Sequence, residues 1–286
     1  MAVSSSGAVP MQQLWPFQKE VLALPELVFS VRHSRRPTSP EDPVLDGMHI
    51  HDSYEAYVHV SGSGAFLVNN LLYPLRRGDI IFTRPGDVHV LIIQEPCLAE
   101  HYCLWLDSAC GDSLIPQARH PDFGSHLHVS GAEGDQMLGW FQKLTAGEPQ
   151  SPLERASIVL QIVLLLSRTN EGGLHSSSTL SPGMQDILDY MHSSLRDIGS
   201  IQDIAAHFHI STATLNRWFR QQIHVSPQEF LRAKRLACAR QCLDSGATVT
   251  ESCMRSGFSD CSYFISVFRQ TFGMTPRRYQ HRNDLR

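Results

Sequence analysis

The seven residues LNRWFRQ at 215–221 decide how this chain folds, because a degenerate copy, FISVFRQ, follows 49 residues later at 264–270. The tripeptide Phe-Arg-Gln recurs intact, and Ser226-Pro227 corresponds to Thr275-Pro276. Upstream of the two copies the offset becomes 48, so that Ala205 corresponds to Cys253. Internal similarity at such a period indicates a duplicated supersecondary unit.

Each copy has the pattern of a helix, a tight turn and a second helix. In the first copy Ser200 and Ser211 are N-cap candidates, and the turn falls between the helices that they begin. In the second copy Thr248 and Glu251 form a capping box, and Gly257 supplies the turn. The apolar face of the last helix is expected to be formed by Tyr263, Phe264, Val267 and Phe268. The chain therefore carries two helix-turn-helix units.

A long helix is predicted between the two units. Ser226 is placed to cap it, Pro227 to occupy its first position and Glu229 its third, and the pattern continues to about Leu243. Such a helix is a rod of about 26 Å. A rod of this length would let the second helix of each unit enter one of two successive major grooves on one face of DNA.

These motifs resemble the DNA-binding domain of the AraC/XylS family of bacterial transcription regulators. The resemblance covers about 181–282 and includes Phe-Arg-Gln with a following Ser-Pro, and Gly257-Phe258 with a following Tyr263-Phe264. The sequence departs from the family pattern at three places. His224 replaces the usual glycine, Ser252-Cys253 replaces Ile-Ala, and Ser266 stands where an arginine is frequent. The last two departures predict a second unit that packs less well and reads bases more weakly.

The resemblance implies which side chains meet double-stranded DNA. Arg217 is expected to bind guanine and Asn216 adenine, while Arg220 and Arg269 are better placed for phosphates. The predicted DNA-contacting set is Thr212, Ala213, Asn216, Arg217, Arg220, Asp260, Cys261, Ser262, Ile265 and Arg269.

Charge is divided unevenly along the chain. Residues 182–286 contain 13 Lys and Arg against 9 Asp and Glu, whereas residues 1–181 contain 11 against 19. A basic C-terminal part suits contact with phosphates. The absence of a signal-like start or a long apolar run, together with seven unpaired-looking cysteines, predicts a cytoplasmic protein that does not enter membranes.

The N-terminal part changes to short strands separated by turn signals. Strands are predicted at 27–33, 55–60, 64–69, 79–83, 88–93 and 98–106. This spacing favours a β-sandwich or jelly-roll barrel. The predicted fold is a two-domain α+β chain, a β-barrel with a helical hairpin followed by an all-α double helix-turn-helix domain. Resemblance to cupins and to the AraC/XylS family implies that the barrel is cupin-like and that the hairpin serves dimerisation.

Two segments of this part resemble the paired cupin motifs. They contain His49, His51 and Glu55 in the first motif and His89 in the second. Three interpretations remain open for these four residues: contacts with a small organic effector, ligands of a divalent metal, or histidines satisfied within the core. The prediction adopted is effector contact without a cofactor, with the metal as the alternative. Arg32, Tyr57 and Trp105 are added as further candidates for the pocket lining.

The resulting domain layout has five parts. An N-terminal arm at 1–26 either closes over a ligand or packs outside the sheet, and the cupin-like effector-binding domain spans 27–130. The resemblance implies that a helical hairpin at 131–169, with helices at 133–144 and 153–168, pairs two subunits, and packing against its own barrel is the alternative. A flexible linker at 170–181 leads to the DNA-binding domain at 182–286.

The sequence thus predicts an effector-responsive transcription regulator rather than an enzyme. Its expected partners are DNA, a sugar or glycoside effector, RNA polymerase and a second copy of the chain. A metal-dependent cupin enzyme or metal-responsive regulator, and an effector-independent DNA binder, are the alternatives.

Overall fold

The computed structural model describes residues 26–42, 47–120, 123–147, 150–169 and 180–283. The N-terminal domain holds two antiparallel sheets in which every strand pairing joins opposite directions. The five-stranded sheet has the order β1-β7-β2-β5-β8 and the three-stranded sheet the order β4-β3-β6. The strands are β1 (Phe29–Thr38), β2 (Ser53–Ser61), β3 (Gly64–Val68), β4 (Leu71–Pro74), β5 (Asp79–Thr83), β6 (His89–Ile93), β7 (Cys97–Asp107) and β8 (His126–His128).

The two sheets pack face to face. Tyr57 and Ile81 of the five-stranded sheet share one buried cluster with Phe66 and Tyr73 of the three-stranded sheet. Because the sheets remain separate, the domain is a cupin-like sandwich and not a closed barrel. All six predicted strands are present, and β4 and β8 are additional because segments of four and three residues are too short to show a period.

Two helices cover the outer face of the five-stranded sheet. They are α2 (Gly131–Thr145) and α3 (Pro152–Thr169), which confirm the two predicted helices of the hairpin. Phe141 of α2 and Ile162 of α3 are buried with Tyr54 and Val58 of β2. A short helix, α1 (Ser108–Leu114), and a 3-10 turn at Pro116–Arg119 precede them.

The C-terminal domain is wholly helical. It consists of α4 (Pro182–Ser193), α5 (Ile201–His207), α6 (Thr212–Gln222), α7 (Pro227–Asp244), α8 (Val249–Arg255), α9 (Cys261–Phe272) and α10 (Pro276–Asn283). The predicted capping boxes at Ser226 and Thr248 are both confirmed. The turns need left-handed backbone, which His224 adopts with φ 58° where the second unit has Gly273 with φ 71°.

The two domains share a hydrophobic interface. Because side chains alternate along a strand, Phe66 faces the interior of the sandwich whereas Ala65 and Leu67 face outward. These outward residues pack with Met184 and Ile187 of α4. At the edge of this contact Asn70 Nδ2 donates to Asp189 Oδ1 at 2.6 Å.

Some predictions concern residues outside the described ranges. These predictions concern the N-terminal arm up to residue 25 and nearly all of the linker at 170–181. Over the part of the chain that is described, no helix is both long and apolar enough to span a bilayer.

Candidate functional site

The four cupin-motif residues converge although only one backbone bridge links their segments. His49 pairs with His89 in an isolated bridge, and His51 follows in irregular backbone. A strand at 49–51, on which both imidazoles would point the same way, is therefore reduced to a single pairing. One ligand atom from each of His49, His51, Glu55 and His89 lies within 4.8 Å of the others. The turn containing Asp87 returns the chain so that His89 enters the cluster from β6.

The backbone fixes the orientation of the three imidazoles. The Nδ1 atoms of His49, His51 and His89 lie 3.0, 2.9 and 2.9 Å from the carbonyl oxygens of Gly47, Ser53 and Asp87. These carbonyls favour a proton on Nδ1 and leave Nε2 to face other groups. The Nε2 atoms of His51 and His89 lie 2.7 and 3.2 Å from Glu55 Oε2.

Electrostatics differ within the cluster. Burial, followed by the neighbouring His89, lowers the pKa of His49 to about 4, so that this imidazole is neutral near pH 7. Burial by itself would raise the pKa of Glu55, but hydrogen bonds from His51 and His89 hold it well below its usual range. The cluster therefore presents a neutral imidazole beside an ionised carboxylate.

This arrangement fits a divalent metal. Histidine ligands of metals characteristically donate the second ring N–H to a carbonyl or carboxylate, and that is how the three Nδ1 atoms are held. With bonds of ~2.1 Å, ligands on opposite sides of a metal lie about 4.2 Å apart, close to the span of the cluster. The Nε2 atom of His89 is buried and makes no well-aligned hydrogen bond within the described residues. A metal would complete its bonding.

A cavity of about 210 Å³ opens beside the cluster. Five of the seven predicted effector residues line it: Arg32, His49, Glu55, Tyr57 and Trp105. The other two, His51 and His89, lie behind Glu55 as its hydrogen-bond partners. The predicted inward orientation of Tyr57 and Trp105 is thus what the structure shows.

The cavity also contains residues that the sequence analysis missed. They are His33, Ser34, Arg36, Phe66, Leu91, His101 and Cys103. Alternation on β7 could have found two of them, because His101 and Cys103 lie four and two residues before Trp105 and share its face. Likewise Ser34 and Arg36 follow Arg32 at two-residue spacing on β1.

We call α6 and α9, the second helices of the two helix-turn-helix units, the reading helices after the role predicted for them. The first, α6, exposes four of the five residues on it that were predicted to meet DNA. Thr212, Ala213, Arg217 and Arg220 are exposed, whereas Leu215 and Phe219 on the opposite face are fully buried. Asn216 is half-buried, and its side-chain amide donates to Thr212 O at 2.7 Å. That bond uses one of the two Nδ2 hydrogens, and it leaves Oδ1 and the other hydrogen for a base.

The second reading helix, α9, has a similar exposed face. Asp260 caps it by accepting from the N–H groups of Ser262 and Tyr263, and Ser262, Ile265 and Arg269 are exposed while Cys261 is half-buried. The assignment of Tyr263 to the core was wrong, since the side chain is 47% exposed. Phe264 already fills that part of the core, so Tyr263 joins the exposed face instead.

The second unit packs densely around its aromatic residues, yet it contains one defect. Phe264, Phe268 and Cys253 are completely buried. The hydroxyl of Ser252 is buried too, and it has no hydrogen-bond partner among the described residues. Ser252 and Cys253 are both completely buried, so the departure at Ser252 is visible as one unsatisfied polar atom, and weaker packing of the second unit stays a prediction.

The long helix α7 connects the reading helices to the sandwich. Arg240 donates to Asp52 at 2.7 Å and to the hydroxyl of Tyr279 at 2.8 Å. Residues 47–50, which include the cavity residue His49, form a cleft with Ala233 and Leu236 of α7. One short segment therefore contacts both the cavity beside His49 and the C-terminal domain.

Comparison with known proteins finds similarity to a helix-turn-helix family and to transcription activators. Residues 204–282 match a family described as a helix-turn-helix domain. The chain is 28% identical over 248 residues to the HTH-type transcriptional activator RhaS of Escherichia coli O81 (strain ED1a), a match that spans 82% of this chain and 88% of that protein. RhaS of Salmonella paratyphi B is 27% identical over 250 residues, with the same coverage.

Solved structures give looser matches. ToxT from Vibrio cholerae O395, bound to (E)-4-(8-methylnaphthalen-1-yl)but-3-enoic acid, is 14% identical with a TM-score of 0.38, over 88% of this chain and 98% of that one. The C-terminal domain of AraT, a response regulator from Geobacillus stearothermophilus, is 24% identical with a TM-score of 0.34, over 36% of this chain and 88% of that one.

Proposed function

We propose that this chain is a DNA-binding transcription regulator of the AraC/XylS family, and that it changes its contacts with DNA when a small molecule fills the cavity beside His49. The observation that supports this most is the position of residues 47–50, which contact both the cavity and α7. A ligand that moves His49 shifts the surface on which α7 rests. Both reading helices remain exposed while the domains are docked, so such a ligand would alter their relative placement and not uncover them.

The proposed output is activation of transcription in the cytoplasm through contact with RNA polymerase. The effector that we propose is a sugar or a related polyol, since many members of this family control carbohydrate use. Aromatic rings at Tyr57, Phe66 and Trp105 offer stacking faces for such a ligand, and the imidazoles offer hydrogen bonds to hydroxyls.

The DNA-binding half of the proposal is tested by selection from a pool of random duplexes with the full chain. Two reading helices separated by a rod predict an enriched site with two short motifs about one helical turn, or ~10 bp, apart. Recovery of one motif alone would limit base readout to α6, and a pool without any enrichment would contradict sequence-specific binding.

A divalent metal at His49, His51, Glu55 and His89 is the second candidate, and the tethered Nδ1 atoms favour it. When bound, the metal would supply Lewis-acid positions for oxygen atoms of the effector. The chain's own residues orient the imidazoles and keep Glu55 ionised. The test is metal analysis of the purified protein beside His49→Phe. One metal per wild-type chain and none in the variant would support the site, and equal trace contents in both would contradict it.

The metal-dependent enzyme remains the alternative from another class. It requires turnover of a ligand in addition to binding of a metal. The relatives identified by sequence are transcription activators, which favours the regulator. Incubation of the metal-loaded chain with any ligand that it binds, followed by mass spectrometry of the ligand, distinguishes the two: an unchanged ligand supports a sensor.

A further inference from the structure

The cavity beside His49 carries an excess of positive charge. Arg32 and Arg36, which lie four residues apart on the same face of β1, both line it. Among the described residues that line it, Glu55 carries the carboxylate, and its Oε2 lies 2.7 and 3.2 Å from the Nε2 atoms of His51 and His89. An incoming ligand therefore meets two guanidinium groups and a carboxylate that already faces two imidazoles.

Arg32 is held in a defined place at the mouth of the cavity. Its guanidinium lies 5.5 Å from the centre of the Trp105 ring, a cation-π contact that restricts the side chain. The planar guanidinium matches the two oxygens of a carboxylate better than it matches single hydroxyls. Its backbone partner across the strand pair is Cys103, which also lines the cavity.

A second observation lies deeper in the same cavity. The side chain of His101 is 95% buried, its ring stacks on that of Tyr57, and its Nδ1 has no hydrogen-bond partner among the described residues. Burial, followed by the charge of Arg32, lowers the pKa of His101 to about 4, so the ring is neutral near pH 7. A buried neutral imidazole that lacks a partner suits a ligand hydroxyl or carboxylate.

The volume limits the size of the ligand. A cavity of about 210 Å³ lies below the ~300–1,000 Å³ of pockets for drug-sized molecules. It therefore suits a single small unit and excludes a disaccharide or a long acyl chain from complete burial.

We infer that the effector is a small polyhydroxylated carboxylate, a sugar acid and not a neutral sugar, whose carboxylate binds Arg32 and whose hydroxyls meet His101 and the His49 cluster. This inference rests on the proposed function of the cavity and specifies its ligand class. Arg36 adds to the attraction at the mouth, while Tyr57 and Phe66 cover the carbon skeleton.

The test compares acids with matched neutral molecules on the full chain. The probes are D-glycerate and glycerol, D-gluconate and D-glucitol, and D-galacturonate and D-galactose, measured by calorimetric titration. At least one acid is expected to bind at least tenfold more tightly than its neutral counterpart. Arg32→Met should remove that preference, and it should leave the fold intact because Arg32 is an exposed residue of an outer strand.

Arg35→Met is the matched control. Arg35 lies on the same strand but pairs with Glu100 outside the cavity, and the control should bind the acid as the wild type does. Tighter binding of a neutral probe, unaffected by Arg32→Met, would overturn the sugar-acid inference and preserve the proposed function. Equal loss in both arginine variants would overturn the role of Arg32, and failure of all six probes to bind would overturn the inference together with a polyol effector.

Discussion

The two arginines of α6 differ in what they are expected to read. Arg217 lies in the middle of α6, whereas Arg220 lies near its C-terminal end, and both side chains are exposed. A guanidinium that binds guanine specifies one base pair, while one that binds phosphate specifies none. Arg217→Ala is expected to cost ~1–3 kcal/mol at one base pair of the selected site.

The measurement for Arg217 is binding to the selected duplex and to single base-pair variants of it. Arg220→Ala is the control and should weaken binding to every duplex alike, with a smaller salt dependence. Equal losses for Arg217→Ala on all duplexes would move this residue to the phosphate-contacting class.

Ser252 offers a prediction about stability at the scale of one hydroxyl. Since its buried oxygen lacks a partner among the described residues, Ser252→Ala should stabilise the second unit by ~1 kcal/mol. Ser256→Ala is the matched control, because the Ser256 hydroxyl donates to the carbonyls of Ser252 and Cys253 and its loss should destabilise. Thermal unfolding of the full chain compares the two variants, and a lower midpoint for Ser252→Ala would show that the hydroxyl is satisfied.

Individual residues also show how far sequence reasoning reaches into the site. Motif spacing identified Glu55 and the three imidazoles, because the cupin pattern fixes residue types at short range. It missed His101, which enters the cavity through the pairing of β7 with β1 and β2. Partners that are distant in sequence follow from register, and register is fixed by packing of the whole sheet.

At the scale of elements, helices were more predictable than short strands. Three helix starts are predictable from the local sequence, at Ser211, Ser226 and Thr248. Each of these side chains caps its helix by accepting from a backbone N–H three residues later. β8 has only three residues, and it is held to β5 partly by ring nitrogens of His126 and His128 that lie 3.2 and 2.8 Å from Asp79 Oδ1. No pattern within those three residues predicts a strand.

The helix α3 leaves an apolar stripe uncovered in the single chain. Leu153 and Leu164 are 79% and 48% exposed, and Leu160 lies between them half-buried at heptad-like spacing. A second copy that packs along this stripe would bury it, in line with the homodimer expected from the sequence. Leu164→Glu should therefore raise the monomer fraction in sedimentation experiments.

Gln161→Glu is the control for the dimer contact. It places the same charge at an exposed position one turn earlier on α3, and it should leave the oligomeric state unchanged if the leucine stripe forms the contact. A wild-type chain that sediments as a monomer at micromolar concentration, or a Leu164→Glu chain that remains dimeric, would contradict the assignment.

At the scale of the whole molecule, a buried lysine lies between the domains. Lys234 of α7 is 5% exposed, and its Nζ lies 3.3 Å from Asn69 Oδ1 of the sandwich. Burial lowers the pKa of Lys234 to about 8. Between pH 8 and about 10.5 the unfolded chain holds a proton that the docked chain has released, so stability from this group rises with pH by at most about 1.4 kcal/mol per unit.

Lys234→Met removes this titration and the cost of burying the charge. The variant should be more stable than the wild type near pH 7, and the difference should shrink as pH rises above 8, as followed by thermal unfolding. Asn69 Oδ1 retains the N–H of Val88 as a donor, so the variant leaves no new unsatisfied oxygen. If the stability difference between Lys234→Met and the wild type does not change with pH, Lys234 is solvated and the two domains are not docked.

The most direct measurement of the central claim is the affinity of the full chain for its selected duplex, by fluorescence anisotropy, with and without a saturating cavity ligand. We expect the affinity to change about fivefold or more, which corresponds to a coupling of ~1 kcal/mol or above. The ligand effect should disappear in a cavity variant that still binds DNA. Identical affinities with and without a ligand that calorimetry shows to be bound would contradict a sensor role and leave a constitutive DNA binder.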